Sequence, residues 1–228
     1  MKKGDTRREQ ILTVAESLFY RKGFEQTSIQ DILEALHLSK GGLYHHFTSK
    51  LALLEAICAM RADESFEAAQ EAIERHQNDP VAALNALLDK GSVFRADKLD
   101  YVGLLLRVAY REDGALMRET LKQTAMERTR PLIDQVIAEG VAQKLFILPR
   151  PRLAGEMILR LCHQFTDEVA LILLGGGEEA EQITAILEKL ELYRYAVERL
   201  LGAPFGSVLL YDMQNLAAVC RGLAQRSR

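Results

Sequence analysis

Hydrophobic residues recur along this chain at intervals of three and four, the period of amphipathic helices, and no segment alternates in the manner of a strand. Ile11, Leu12, Ala15, Leu18 and Phe19 form one such face, which ends at Lys22-Gly23. Ile29, Ile32, Leu33 and Leu36 form a second. Leu43 and Phe47 are spaced to anchor a third, short helix on the first two. Thr27 and Ser28 can each cap the second helix, with Gln30 and Asp31 three residues on as a capping box requires. Leu38 closes the turn, and Ser39 is placed to cap the third helix.

The pattern continues to the C-terminus. Thr48 or Ser49 caps a long helix towards His76, and Asp79-Pro80 opens another. Gly91-Ser92 and Asp113-Gly114 mark breaks, and Pro131 either kinks a long helix or begins a new one. Two helices are expected around residues 152–174 and 179–201, bounded by Pro149, Pro151, Gly175-Gly176-Gly177 and Gly202-Ala203-Pro204. The fold class is therefore all-α: a three-helix head over residues 1–50 and a helical-bundle body over 51–228.

The chemistry concentrates in the head. Thr27 to Lys50 reads as a helix-turn-helix whose second helix turns Lys40, Tyr44, His45 and His46 outward, the layout of a helix that enters a DNA major groove. Ser39 and the amides behind it suit a phosphate, as do Thr27 and Ser28 at the preceding helix. Lys40 can reach a guanine edge or a phosphate, and Lys50 a phosphate. Gly41 and Gly42 are poor helix formers, and close approach of backbone to DNA is one reason to find them here. The adjacent histidines lack a cysteine or carboxylate at ligand spacing, so no metal site is expected, and no cofactor.

Over Ser39-Lys40-Gly41-Gly42-Leu43-Tyr44-His45-His46-Phe47, with Lys50 three residues on and Thr27-Ser28 before, the chain resembles the TetR family of bacterial transcriptional repressors. His37 replaces a frequent glycine of that family, and Gly42 stands where a side chain often meets a base. The resemblance implies a homodimer on a palindromic double-stranded operator, released by a small, largely apolar effector bound in the body.

The body offers residues for both tasks. Ile183, Ile186, Leu190, Tyr193, Val197 and Leu200 repeat at three and four, and Ile158, Leu161 and Phe165 make a similar stripe on the preceding helix. By periodicity these suit a dimer seam and the core of one chain equally well. Met60, Phe66, Phe94, Tyr101, Tyr110 and Phe165 can line an apolar effector pocket or simply fill the core.

Composition adds little and excludes some classes. The 228 residues carry a net charge of −3, with 8 Lys/Arg against 6 Asp/Glu over residues 1–50 and 21 against 26 beyond. A mildly basic head on an acidic body is consistent with local docking on DNA. Cys58, Cys162 and Cys220 are dispersed and form no CxxC, as expected of buried thiols in a reducing compartment. The opening MKKGDTRREQ is too polar for a signal peptide, and no apolar run reaches the length of a membrane span, so a cytoplasmic protein without membrane contact is expected. No Ser-His-Asp arrangement, HExxH or phosphate-cradling loop argues for an enzyme, since Gly175-Gly176-Gly177 lacks the lysine and hydroxyl that such a loop needs. An activator or architectural DNA-binding protein is the other reading of the same head.

Overall fold

The computed structural model describes residues 3–90, 94–96, 99–110 and 114–226, and among them the regular elements are helices. They are α1 (Lys3–Lys22), α2 (Ile29–Leu36), α3 (Lys40–Tyr44), α4 (Lys50–Glu74), α5 (Pro80–Lys90), α6 (Leu99–Ala109), α7 (Ala115–Ala142), α8 (Pro151–Gly175), α9 (Glu179–Leu201) and α10 (Met213–Arg226). Pro131 lies inside α7, so one helix spans the position at which a second had been an option. The Gly91-Ser92 break and Asp113 fall outside the described residues.

Local signals fix the helix starts. The Ser49 hydroxyl accepts the Ala52 N–H at 3.0 Å and so caps α4. Asp79 accepts the amides of Val81 and Ala82 at 3.1 and 3.0 Å ahead of Pro80, and Asp212 does the same for Gln214 and Asn215 at the start of α10.

The chain forms two compact units, Met1–Ala62 with Gly103–Ala125, and Asp63–Val102 with Met126–Arg228. The first unit therefore extends beyond the expected boundary at residue 50, taking in the first half of α4 and a later segment. Its core holds Ile11, Leu12, Phe19, Ile32, Leu43, Leu53 and Leu54, all but removed from water. One charge is buried with them. Glu16 is 5% exposed, and its carboxylate accepts two hydrogen bonds from the Arg61 guanidinium, at 2.7 Å from Nε and 2.5 Å from Nη2. Such a fork-to-fork pair satisfies both carboxylate oxygens and ties α1 to the fourth turn of α4.

In the second unit α9 packs on α8 and on α10. Phe165 of α8 is fully buried between Tyr211, at 4.9 Å between ring centroids, and Tyr193, at 5.4 Å. The Tyr193 hydroxyl donates to Glu168 at 2.8 Å, and the Lys189 ammonium meets the same carboxylate at 2.7 Å, holding it below the usual carboxylate range. The C-terminus of α9 is fixed by a close approach. Gly202 has φ +61°, and a Cβ there would stand 2.1 Å from the Ile147 carbonyl oxygen, so only glycine fits. That proximity lets the Ile147 N–H donate to the Leu201 carbonyl at 2.8 Å.

Much of the α8–α9 stripes is buried by this packing within the single chain. Ile158, Phe165, Ile186, Leu190 and Val197 are buried in a single chain, and Leu161, Ile183, Tyr193 and Leu200 are half-buried beside them. The expected dimer seam is thus mainly intrachain core, because the two helices turn their most regular apolar faces towards each other. The apolar side chains left in water lie elsewhere: Leu153, Met157, Leu171 and Leu174 on α8, and Leu192 and Tyr195 on α9.

The residues expected to line an effector pocket differ in burial. Phe94 and Phe165 are buried core, Met60 and Phe66 are half-buried, and Tyr110 lies under the Arg118 guanidinium at 5.1 Å. The side chain of Tyr101 lies outside the described part.

Candidate DNA-binding surface

The helix-turn-helix is built from caps inward. Ser28 precedes α2, and its Oγ accepts the Asp31 N–H at 3.1 Å while the Asp31 carboxylate accepts the Ser28 N–H at 2.8 Å. This reciprocal pair is a capping box, worth about 0.5–2 kcal/mol through its serine. The Lys22 ammonium donates to Asp31 at 2.5 Å. With the two Ser28 hydrogen bonds it draws the carboxyl from its ordinary 3.8 down to about 2. At the other end of α2, His37 takes φ 50° and ψ 45°, a left-handed conformation. The Leu38 N–H then reaches back to the Leu33 carbonyl at 3.0 Å, closing the turn.

From that turn α3 emerges with Ser39 as its cap, the Oγ accepting the Gly42 N–H at 3.2 Å. Leu43 and Phe47 are buried and seat the helix. Arg8 of α1 lays its guanidinium 5.2 Å from the Phe47 ring centroid, a cation–π contact that adds to this seat.

Lys40, Gly41, Tyr44 and His45 remain on the outer face with Ser39, and His46 is half-exposed beside them. The two histidine rings meet edge to face at 5.1 Å. Lys40 has no ion-pair partner among the described residues, so its charge is available to an outside anion. Gly41 is the most telling position: a Cβ added there would meet nothing within 4 Å. Nothing in the fold requires its lack of a side chain. At Gly42 the same addition would come within 3.2 Å of Leu38 Cδ2 and 3.4 Å of Ser39 Oγ, which gives that glycine a reason inside the protein.

Three residues expected to meet phosphate are occupied within the head. Thr27 is only 1% exposed, and its hydroxyl donates to the Gly23 carbonyl at 2.7 Å. The Ser28 hydroxyl donates to Asp31 Oδ2 at 2.9 Å. The Lys50 ammonium donates to the carbonyls of Phe24 and Glu25, at 2.9 and 3.3 Å. Each had been assigned outward because small hydroxyls and lysines suit phosphates. The turn before α2 carries carbonyls that need donors, and Thr27 and Lys50 supply them, while Ser28 is held by its capping partner.

The Glu16–Arg61 pair and the Arg8–Phe47 contact were not anticipated. Glu16 carried a signal, a carboxylate beside Ala15 on an otherwise apolar face. The cysteines hold no chemistry at this surface. Burial pushes the Cys58 and Cys162 thiols up to about 12 and Cys220 to about 11, so all three stay protonated. Among the described residues no group of three or more His, Cys, Asp or Glu is placed to hold a metal ion, and no helix is long and apolar enough to cross a membrane.

A capped helix pair about a tight turn, with a seated second helix that turns a lysine, a tyrosine and histidines outward, is a DNA-binding helix-turn-helix. Residues 11–57 match the family model described as bacterial regulatory proteins, tetR family, and with the relatives and solved structures that follow this supports a TetR-family regulator. It is 25% identical over 183 residues to the HTH-type transcriptional repressor KstR2 of Mycolicibacterium smegmatis, covering 78% of this chain and 85% of that one. It is 37% identical over 67 residues to the HTH-type transcriptional regulator UidR of Escherichia coli K12, covering 29% and 34%. Among solved structures, a TetR-family regulator of Pectobacterium atrosepticum shares the fold with a TM-score of 0.61 at 18% identity, over 90% of this chain and all of that one. The TetR-family regulator PfmR of Thermus thermophilus aligns at 26% identity and a TM-score of 0.52, over 85% and 97%.

Proposed function

We propose that this regulator is a cytoplasmic repressor that grips a palindromic operator as a homodimer and releases it when a small, largely apolar effector binds its helical body. The observation that carries the DNA half of this reading is the outer face of α3. It joins Lys40, which has no ion-pair partner among the described residues, to a Gly41 with open space above it, and to the exposed Tyr44 and His45. Each has a counterpart on a duplex: phosphate or guanine for the ammonium, close backbone approach for the glycine, and backbone oxygens or thymine methyls for the rings.

The exposed leucines and Met157 of α8, with Leu192 and Tyr195 of α9, support the dimer, because large apolar side chains in water favour a partner that covers them. Resemblance to KstR2, which is named a repressor, supports repression over activation. For an effector to act, it must prefer the form that cannot hold DNA, since equal affinity for both shifts nothing.

The test is selection of duplexes from a random pool by the full chain, followed by titration of the enriched duplex. Lys40→Ala and Tyr44→Ala should each weaken binding while leaving the melting temperature and dimer unchanged. Unaltered affinity in both variants would remove α3 as the reading element.

A further inference from the structure

The turn between α1 and α2 carries carbonyls that the fold supplies with side-chain donors. The Thr27 hydroxyl serves the Gly23 carbonyl, donating to it at 2.7 Å, and also lies 3.3 Å from the carbonyl of Leu18 in α1. The next two, Phe24 and Glu25, are served from 26 and 25 residues away by the Lys50 ammonium, at 2.9 and 3.3 Å. That ammonium also lies 4.4 Å from the centroid of the Phe24 ring and 3.8 Å from the Glu25 carboxylate. Phe24 is itself fixed, buried and edge-on to Phe19 at 5.1 Å.

An ammonium has three N–H donors and no acceptor. Here two are directed at backbone carbonyls, and an aromatic face and a carboxylate surround the charge. The residues joined are the first of α4 and the turn before α2, so the contact brackets the whole helix-turn-helix at both of its ends.

We propose that Lys50 is a positioning residue for DNA recognition: it fastens the first turn of α4 to the α1–α2 turn, thereby setting α3, and does not bond to a phosphate. This rests on the reading of α3 as the element that meets DNA.

Two substitutions separate the roles. Lys50→Met removes both charge and donors. Lys50→Gln removes the charge but keeps an N–H2 donor for the turn, on a side chain one bond shorter. Affinity for the duplex enriched from a random pool by the wild-type chain is measured against salt concentration, below each variant's melting temperature. A lysine bound to phosphate contributes about 0.9 to the slope of log K against log salt, so losing one per subunit of a dimer flattens it by about 1.8.

The expected result is a loss of about tenfold or more in affinity for Lys50→Met, the equivalent of about 1.4 kcal/mol, at an unchanged slope. Lys50→Gln recovers most of that loss. A slope flattened by about 1.8 in both variants would identify a phosphate contact and overturn the proposal. So would a lowered melting temperature with wild-type affinity, which is the mark of a purely structural lysine. Should Lys50→Met fail to fold, the slope of Lys50→Gln decides alone, unchanged in favour and flattened against. Failure of the DNA reading shows separately, because the wild-type chain then enriches no duplex, and the proposal falls with it.

Discussion

Replacing Gly41 by alanine should separate what α3 needs for folding from what it needs for DNA. Glycine inside a helix is less favourable than alanine by roughly 0.5–1 kcal/mol, chiefly through the entropy of the unfolded chain. Gly41 is the second residue of a five-residue helix, so about 0.5 kcal/mol is a fair share. Its backbone is not left-handed, and an added Cβ has nothing within 4 Å to strike. The variant should therefore be slightly more stable, by about 1–2 °C at 2–4 °C per kcal/mol for a chain of this size. On DNA the sign reverses. If the backbone at Gly41 lies against the duplex, the methyl group meets a surface that cannot retreat. A misfit comparable to overpacking a core, about 1–3 kcal/mol, lowers affinity roughly 5- to 150-fold per half-site. Circular dichroism melts and fluorescence anisotropy on the selected duplex measure the two halves independently. A variant that is more stable and binds as tightly as the wild type would refute the idea that DNA accounts for this glycine.

Two other expectations concern the cap and the dimer. Asp31 should titrate near pH 2 by carbon-detected NMR, and Lys22→Met should move its midpoint up towards the ordinary 3.8. Because the folded pKa is depressed, the contribution of this carboxylate to α2 is complete above about pH 4 and disappears as pH falls through about 2; a midpoint near 3.8 in the wild type would contradict the hydrogen-bond geometry. Met157→Glu together with Leu171→Glu should convert the dimer to monomer in light scattering without lowering helix content, whereas retention of a dimer would place the interface away from this face of α8.

The helix-turn-helix was legible because its signals are local. A serine with an aspartate three residues on, an apolar spacing of three and four, and a serine before two glycines each act within one helical turn. The left-handed His37 was legible only through the family resemblance, in which a glycine is frequent at that position. What could not be read was partner choice across distance. Periodicity marked Ile158, Phe165, Ile186, Leu190 and Val197 as apolar faces, but intrachain and interchain burial leave the same pattern in sequence. Thr27 and Lys50 show the converse: their chemistry suits phosphate and carbonyl alike, and only the fold brings the carbonyls of Gly23, Phe24 and Glu25 within reach. The Glu16–Arg61 pair joins residues 45 apart, and no spacing rule connects them.

The unit that reads DNA is not one stretch of chain, for residues Gly103–Ala125 belong to it with Met1–Ala62. A ribosome that adds about 5–20 residues per second delivers the last of these segments several seconds after the recognition helix has emerged. Until then the nascent head lacks part of its own compact unit. A hybrid regulator made by transplanting only the first fifty or sixty residues onto a foreign body would make that interval permanent.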